Sequence, residues 1–135
     1  MSGPGIPLTS YALVRILPRM VEVLVTDEFS DWYMALAKTD SAAVDRVVGL
    51  LEVQGIQLGS PYTSQVKGSR YALRELRVQS GGKPLRVFYA FDPQRQAVLL
   101  IGGDKSGDDR FYEVFVPRAE RLWEEYLDET KEDTT

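Results

Sequence analysis

Residues 71–105, YALRELRVQSGGKPLRVFYAFDPQRQAVLLIGGDK, read as three successive β-strands joined by two turns, with arginines inside the strands as well as in the loops. Successive side chains of a strand point to opposite faces. In the first strand, Ala72 to Val78, one face therefore carries Ala72, Leu76 and Val78 with Arg74 as the odd member. The other carries Leu73, Glu75 and Arg77. Ser80-Gly81-Gly82-Lys83-Pro84 is a turn, and Leu85 to Phe91 alternates again, setting Val87, Tyr89 and Phe91 against Arg86, Phe88 and Ala90. Asp92-Pro93-Gln94-Arg95 is a second turn, with Pro93 suited to the first central position of a type I turn. Ala97 to Ile101 is apolar without alternation, as expected of a strand covered on both faces, and Gly102-Gly103 is expected to end it. Paired as an antiparallel meander, these strands bring Arg77 and Arg86 onto one polar face. Two guanidinium groups on a sheet face make a place for an anion.

Composition limits the chemistry. The chain has 135 residues, 44% of them hydrophobic, enough for one domain with a core. It has no cysteine and no histidine, which removes thiol chemistry, the commonest general base and the commonest transition-metal ligand. No apolar run approaches the roughly 18 residues of a membrane span, and no secretory signal pattern opens the chain; a cytoplasmic protein is expected. The net charge is −4, yet residues 65–118 hold ten Lys/Arg against six Asp/Glu, a local balance of +4, while the flanks sum to −8. A basic centre in an acidic chain can hold a phosphate, although steering toward bulk RNA is weak. Ordinary solvated charge on a strand face is the competing reading.

Around the meander, residues 1–19 are read as an extension of no assigned role. Val21, Val23 and Val25 mark a short strand, and Thr26 or Asp27 is placed to cap a helix. Phe29, Trp32, Tyr33 and Leu36 line one helical stripe, and Val44, Val47, Val48 and Leu51 line a second that ends near Gly55. Thr39-Asp40-Ser41 is expected to break and cap between them, giving a helical hairpin. The trio Phe29, Trp32 and Tyr33 could stack on bases, but helical periodicity favours core packing. Residues 55–69 are expected to be a loop. A final helix carries Ala119, Leu122, Trp123, Tyr126 and Leu127 on one stripe, and residues 130–135 are expected as an acidic tail beyond a domain of residues 20–129. The predicted order is β-αα-βββ-α, an α+β fold with a small, mainly antiparallel sheet. Gly102-Gly103 with Lys105-Ser106 lacks the spacing of a phosphate loop, and Asp104, Asp108 and Asp109 lack the glycine and distal glutamate of a Ca²⁺ loop.

With this element order, the stretches VKGSRYALRELR (66–77), LRVFYAF (85–91) and LLIGGDKSGDDRFYEVFVPRA (99–119) resemble the RelE/ParE superfamily of type II toxin–antitoxin toxins, within it the HigB-like, phage Gp49-like branch. The resemblance covers residues 20–127 and is most specific over 67–105. It implies a RelE-like fold and a ribosome-dependent mRNA interferase that needs no metal or cofactor, held inactive by a cognate helix-turn-helix (HigA-like) antitoxin. Its partners would be the ribosome and mRNA; it implies no membrane and leaves the oligomeric state open. By position, Arg86 matches a phosphate-binding arginine, Arg77 a basic position on the LRELR strand, Lys105 the basic position after the last strand, and Tyr112 a functional tyrosine. Lys67 and Arg74 are further substrate-binding candidates. Glu75 and Leu73 stand where well-studied ribosome-dependent members carry lysines. Two other readings stay open: a ParE-like gyrase inhibitor without nuclease activity, and a non-catalytic antitoxin-binding module.

Overall fold

A computed structural model describes residues 20–133 of the protein. The expectations for residues 1–19 and 134–135 lie outside them. Strand β1 (Val23–Val25) leads into helix α1 (Asp27–Met34) and helix α2 (Lys38–Gln54), followed by a 3₁₀ turn at Gly55–Gln57. Then come β2 (Thr63–Gln65), β3 (Arg74–Ser80), β4 (Lys83–Phe91), β5 (Ala97–Asp104) and helix α3 (Phe111–Asp133). The sheet order is β1-β5-β4-β3-β2, antiparallel except that β1 runs parallel to β5. The α+β class and the β3-β4-β5 meander are as expected.

The helical hairpin covers one sheet face. Phe29, Val44, Val47 and Leu51 pack there on Leu76, Val78, Val87, Tyr89 and Leu99. Helix α3 covers the other, where Ala119, Leu122 and Trp123 pack on Leu73, Phe88, Val98, Leu100 and Ile101. Thr26 caps α1 by accepting from the Phe29 N–H at 3.0 Å.

Several boundaries differ from the sequence reading. β2 lies inside the expected loop; its three polar residues gain strand geometry only from pairing with Leu76–Arg74 of β3. The break between helices falls at 35–37, and Thr39-Asp40-Ser41 lies within α2, whose first turn has no side-chain cap. Asp40 is used elsewhere: it accepts from Ser80 Oγ and from Lys83 Nζ, both at 2.6 Å, and fastens α2 to the β3–β4 turn. α3 begins at Phe111, passes through Pro117 and extends to Asp133, through most of the expected tail.

β5 runs through its two glycines to Asp104 because they are needed there. A Cβ on Gly102 would land inside the Trp32 ring on the hairpin side, and one on Gly103 would sit 2.7 Å from Phe115 and 2.9 Å from Phe111 on the α3 side. Pairing with β4 shifts between Phe88 and Tyr89, leaving Leu100 as an extra residue in β5. Its carbonyl accepts from Thr26 Oγ1 at 2.6 Å, and the shift brings Gly103 opposite Arg86.

Candidate functional site

One row across the sheet reads Arg77, Arg86, Gly103, and the next reads Ser64, Glu75, Phe88, Ile101. All of these face α3. With no side chain at Gly103, the first turn of α3 can settle on β5, stacking Phe111 and Phe115 on Phe88. That approach carries Tyr112 over the strands.

The Tyr112 hydroxyl donates to Glu75 Oε1 at 2.8 Å, and Ser64 Oγ donates to Oε2 at 3.1 Å. Arg86 is only 5% exposed. Its Nη1 donates to the Leu85 carbonyl at 3.1 Å, while Nε lies 3.4 Å from Glu75 Oε1, an ion pair by distance without hydrogen-bond geometry. Arg86 Nε is the one buried side-chain polar atom without a hydrogen bond among the described residues. The Glu75 carboxylate beside it offsets the guanidinium charge without making that bond.

Arg77 sits directly opposite Arg86 and is exposed, with no carboxylate partner among the described residues. Two guanidinium groups so paired repel each other, and an anion between them relieves that repulsion. Lys105 is held at the rim by its N–H to the Pro84 carbonyl at 3.0 Å, and its ammonium lies 5.7 Å from the centre of the Tyr112 ring. Burial raises the Tyr112 phenol above its ordinary value, the Glu75 hydrogen bond adds to the rise, and the Arg86 guanidinium offsets part of it. The phenol is therefore protonated at neutral pH and can donate.

Four of the six predicted residues, Arg77, Arg86, Lys105 and Tyr112, come together. The other two do not. Arg74 pairs with Tyr89 on the hairpin face, and Lys67 lies in the turn after β2, level with the end of β3 away from Arg77. Glu75 and Ser64 belong to the cluster and were not singled out as site residues. Strand alternation puts Glu75 on the Arg77 face, whereas Ser64 depends on a strand with no sequence signal. β2 begins opposite Leu76 and the Tyr62 carbonyl still accepts from the Arg77 N–H at 2.8 Å, so the β3 edge is uncovered only beyond Arg77. There a cleft of about 440 Å³ opens, lined by Arg46 and Tyr62 as well as Arg77, Gln79 and Arg86. Among the described residues no three His, Cys, Asp or Glu side chains converge as metal ligands, and no helix is long and apolar enough to cross a membrane.

The family described as phage-derived protein Gp49-like matches residues 31–124. The chain is 37% identical over 107 residues to HigB3 of Mycobacterium tuberculosis, covering 78% of this chain and 92% of that one. It is 34% identical over 104 residues to HigB2 of the same organism, covering 75% of this chain and 52% of that one. Both are named as toxins. The chain thus spans nearly all of one relative and about half of the other. Among solved structures, an archaeal RelE–RelB complex from Pyrococcus horikoshii OT3 contains a chain that aligns with a TM-score of 0.48 at 15% identity, over 64% of this chain and 97% of that one.

Proposed function

Because the chain belongs to the phage-derived Gp49-like family, in its HigB-like branch, we propose that it is the toxin of a type II toxin–antitoxin system and an endoribonuclease that cuts mRNA on the ribosome. The observation that supports the nuclease reading is the cross-strand Arg77–Arg86 pair lining the cleft, with the Tyr112 phenol and Lys105 at its edge. In this reaction a ribose 2′-hydroxyl gives up its proton to solvent and attacks the adjacent phosphate, forming a 2′,3′-cyclic phosphate as the 5′-oxygen leaves and takes up a proton. Arg77 and Arg86 hold the phosphate and stabilise the charge that grows on its oxygens. Tyr112, protonated at neutral pH, donates to the leaving oxygen, and Lys105 adds positive charge at the rim. Glu75 aligns Arg86 and Tyr112. Lys67 and Arg74 stay outside the reacting group. The ribosome supplies the substrate geometry, so a chain of net charge −4 needs little long-range attraction of its own. The cognate partner is a helix-turn-helix antitoxin that neutralises the toxin.

The test is induction in a bacterial host without antitoxin, with mRNA 5′ ends mapped genome-wide, beside Arg86→Ala. New ends confined to translated regions at a fixed position in the codon, lost in the variant, are the expected result. Losing one such charge-stabilising group should lower the cutting rate on the order of 10²–10³-fold. Arrested growth with intact mRNA and broken DNA would replace this reading with gyrase inhibition.

A further inference from the structure

The cleft beyond Arg77 contains groups that cutting a phosphodiester does not use. Arg46 comes from α2, on the hairpin side, and lines the same cleft as Arg77 and Tyr62. Like Arg77 it is exposed and has no carboxylate partner among the described residues. With the buried Arg86, three guanidinium groups line the cleft, and no Asp or Glu lines it. Tyr62 is 41% exposed, and its hydroxyl has no hydrogen bond among the described residues. Its backbone, by contrast, is fixed: the N–H donates to the Gly59 carbonyl at 3.0 Å, and its carbonyl accepts from the Arg77 N–H at 2.8 Å. An exposed aromatic ring on an anchored backbone, next to unpaired arginines, is the arrangement that binds single-stranded nucleic acid. The ring stacks on a base and the cations take the phosphates.

We propose that this cleft is a second nucleotide subsite, in which Tyr62 stacks on a base next to the cut bond and Arg46 binds the phosphate flanking it. The proposal rests on the nuclease reading of the Arg77–Arg86 pair. A volume of about 440 Å³ falls within the range of small-ligand pockets. Stacking tolerates every base, so this subsite strengthens binding without dictating sequence.

The experiment is fluorescence anisotropy of the purified full chain with a labelled single-stranded RNA hexanucleotide made uncuttable by 2′-O-methylation, over a range of salt. Tyr62→Ala should weaken binding roughly 5- to 150-fold, the equivalent of about 1–3 kcal/mol for one stacked base, and Tyr62→Phe should bind within about twofold of wild type, since the ring face is kept. Arg46→Ala should reduce the slope of log affinity against log salt by about 0.7, one single-strand phosphate contact. Wild-type binding by both Tyr62→Ala and Arg46→Ala, with Arg86→Ala impaired, would overturn the subsite and leave the nuclease reading standing. Absence of hexanucleotide binding by the wild type would also overturn it, with the nuclease reading then decided by the mapped mRNA ends. Poly-glutamate binding as tightly as RNA, with Tyr62→Ala losing neither, would assign the cleft to an acidic protein segment and overturn it as well.

Discussion

Arg86 and Glu75 are buried together, and each is the other's only oppositely charged neighbour within ion-pair distance among the described residues. Removing one partner of a buried pair leaves the other charge uncompensated, at about 3–5 kcal/mol. Glu75→Gln should therefore lower stability by an amount of that order in urea unfolding. Glu75→Gln with Arg86→Met should lose less than the two single changes added together. A second prediction concerns Tyr112. Its phenol is raised above 10.0, first by burial and then by Glu75, so it keeps its proton as pH rises through the ordinary tyrosine range. Ultraviolet titration of tyrosinate should show that Tyr112→Phe removes a step lying above that range. At this scale the sequence was partly legible. Alternation put Glu75 and Arg77 on one face, and antiparallel pairing of the next strand added Arg86 to it. That Glu75 pairs diagonally with Arg86 and not along its own strand with Arg77 depends on the register of β3 and β4. The Tyr112 contact spans 37 residues and follows from how α3 lies on the sheet, which no local pattern encodes.

Among the elements, β5 is the strand that both layers press on, and its glycines permit both approaches. Gly103→Ala puts a methyl group against the Phe111 and Phe115 rings, which are packed on Phe88 and cannot easily yield. Overpacking of this kind costs about 1–3 kcal/mol. Denaturation should show at least that loss, and under the proposed nuclease function cutting should fall with it because Tyr112 rides on the displaced turn. The clasp from Asp40 to Ser80 and Lys83 makes a pH-dependent prediction. The Lys83 hydrogen bond, followed by that of Ser80, holds the Asp40 carboxyl below its ordinary 3.8, and Asp40 in turn raises Lys83 above 10.5. A depressed acid stabilises the fold above its unfolded value and loses that contribution as pH falls through the folded one. A raised lysine does so below its unfolded value and loses it as pH rises through the folded one. Thermal unfolding should thus show Asp40→Asn below wild type by a constant margin between about pH 5 and 9, narrowing toward either extreme. Helical stripes were legible because 3.6-residue spacing is a local property, as Phe29, Trp32, Val44 and Val47 demonstrate. β2 was not, because Thr63-Ser64-Gln65 carries no strand pattern and is held by its neighbour. The start of α2 was misjudged because Asp40, a favoured capping residue type, bonds to a distant turn instead of its own helix.

Across the whole molecule, a single sheet serves two cores, and the chain's two tryptophans divide between them, Trp32 in the hairpin core and Trp123 in the α3 core. Leu51→Ala on one side and Leu122→Ala on the other should each cost about 2–5 kcal/mol. Made together they should add to within about 0.5 kcal/mol, with both tryptophan signals melting in one transition, because neither core persists once the shared sheet is lost. The overall α+β arrangement was legible from the order of strands and helices. The parallel pairing of Val23 with Ala97, 74 residues apart, was not. That separation, with the late position of α3, sets an order of birth. A chain leaving the ribosome presents Arg77 and Arg86 well before Tyr112, and β1 has no partner until β5 has been made. Until α3 emerges, Phe88, Leu100 and Ile101 lie bare on an uncovered sheet face, and the phenol that completes the cluster is missing. A half-made copy thus shows chaperones and proteases a bare apolar face, and the cluster gains its last member only when the molecule is nearly whole.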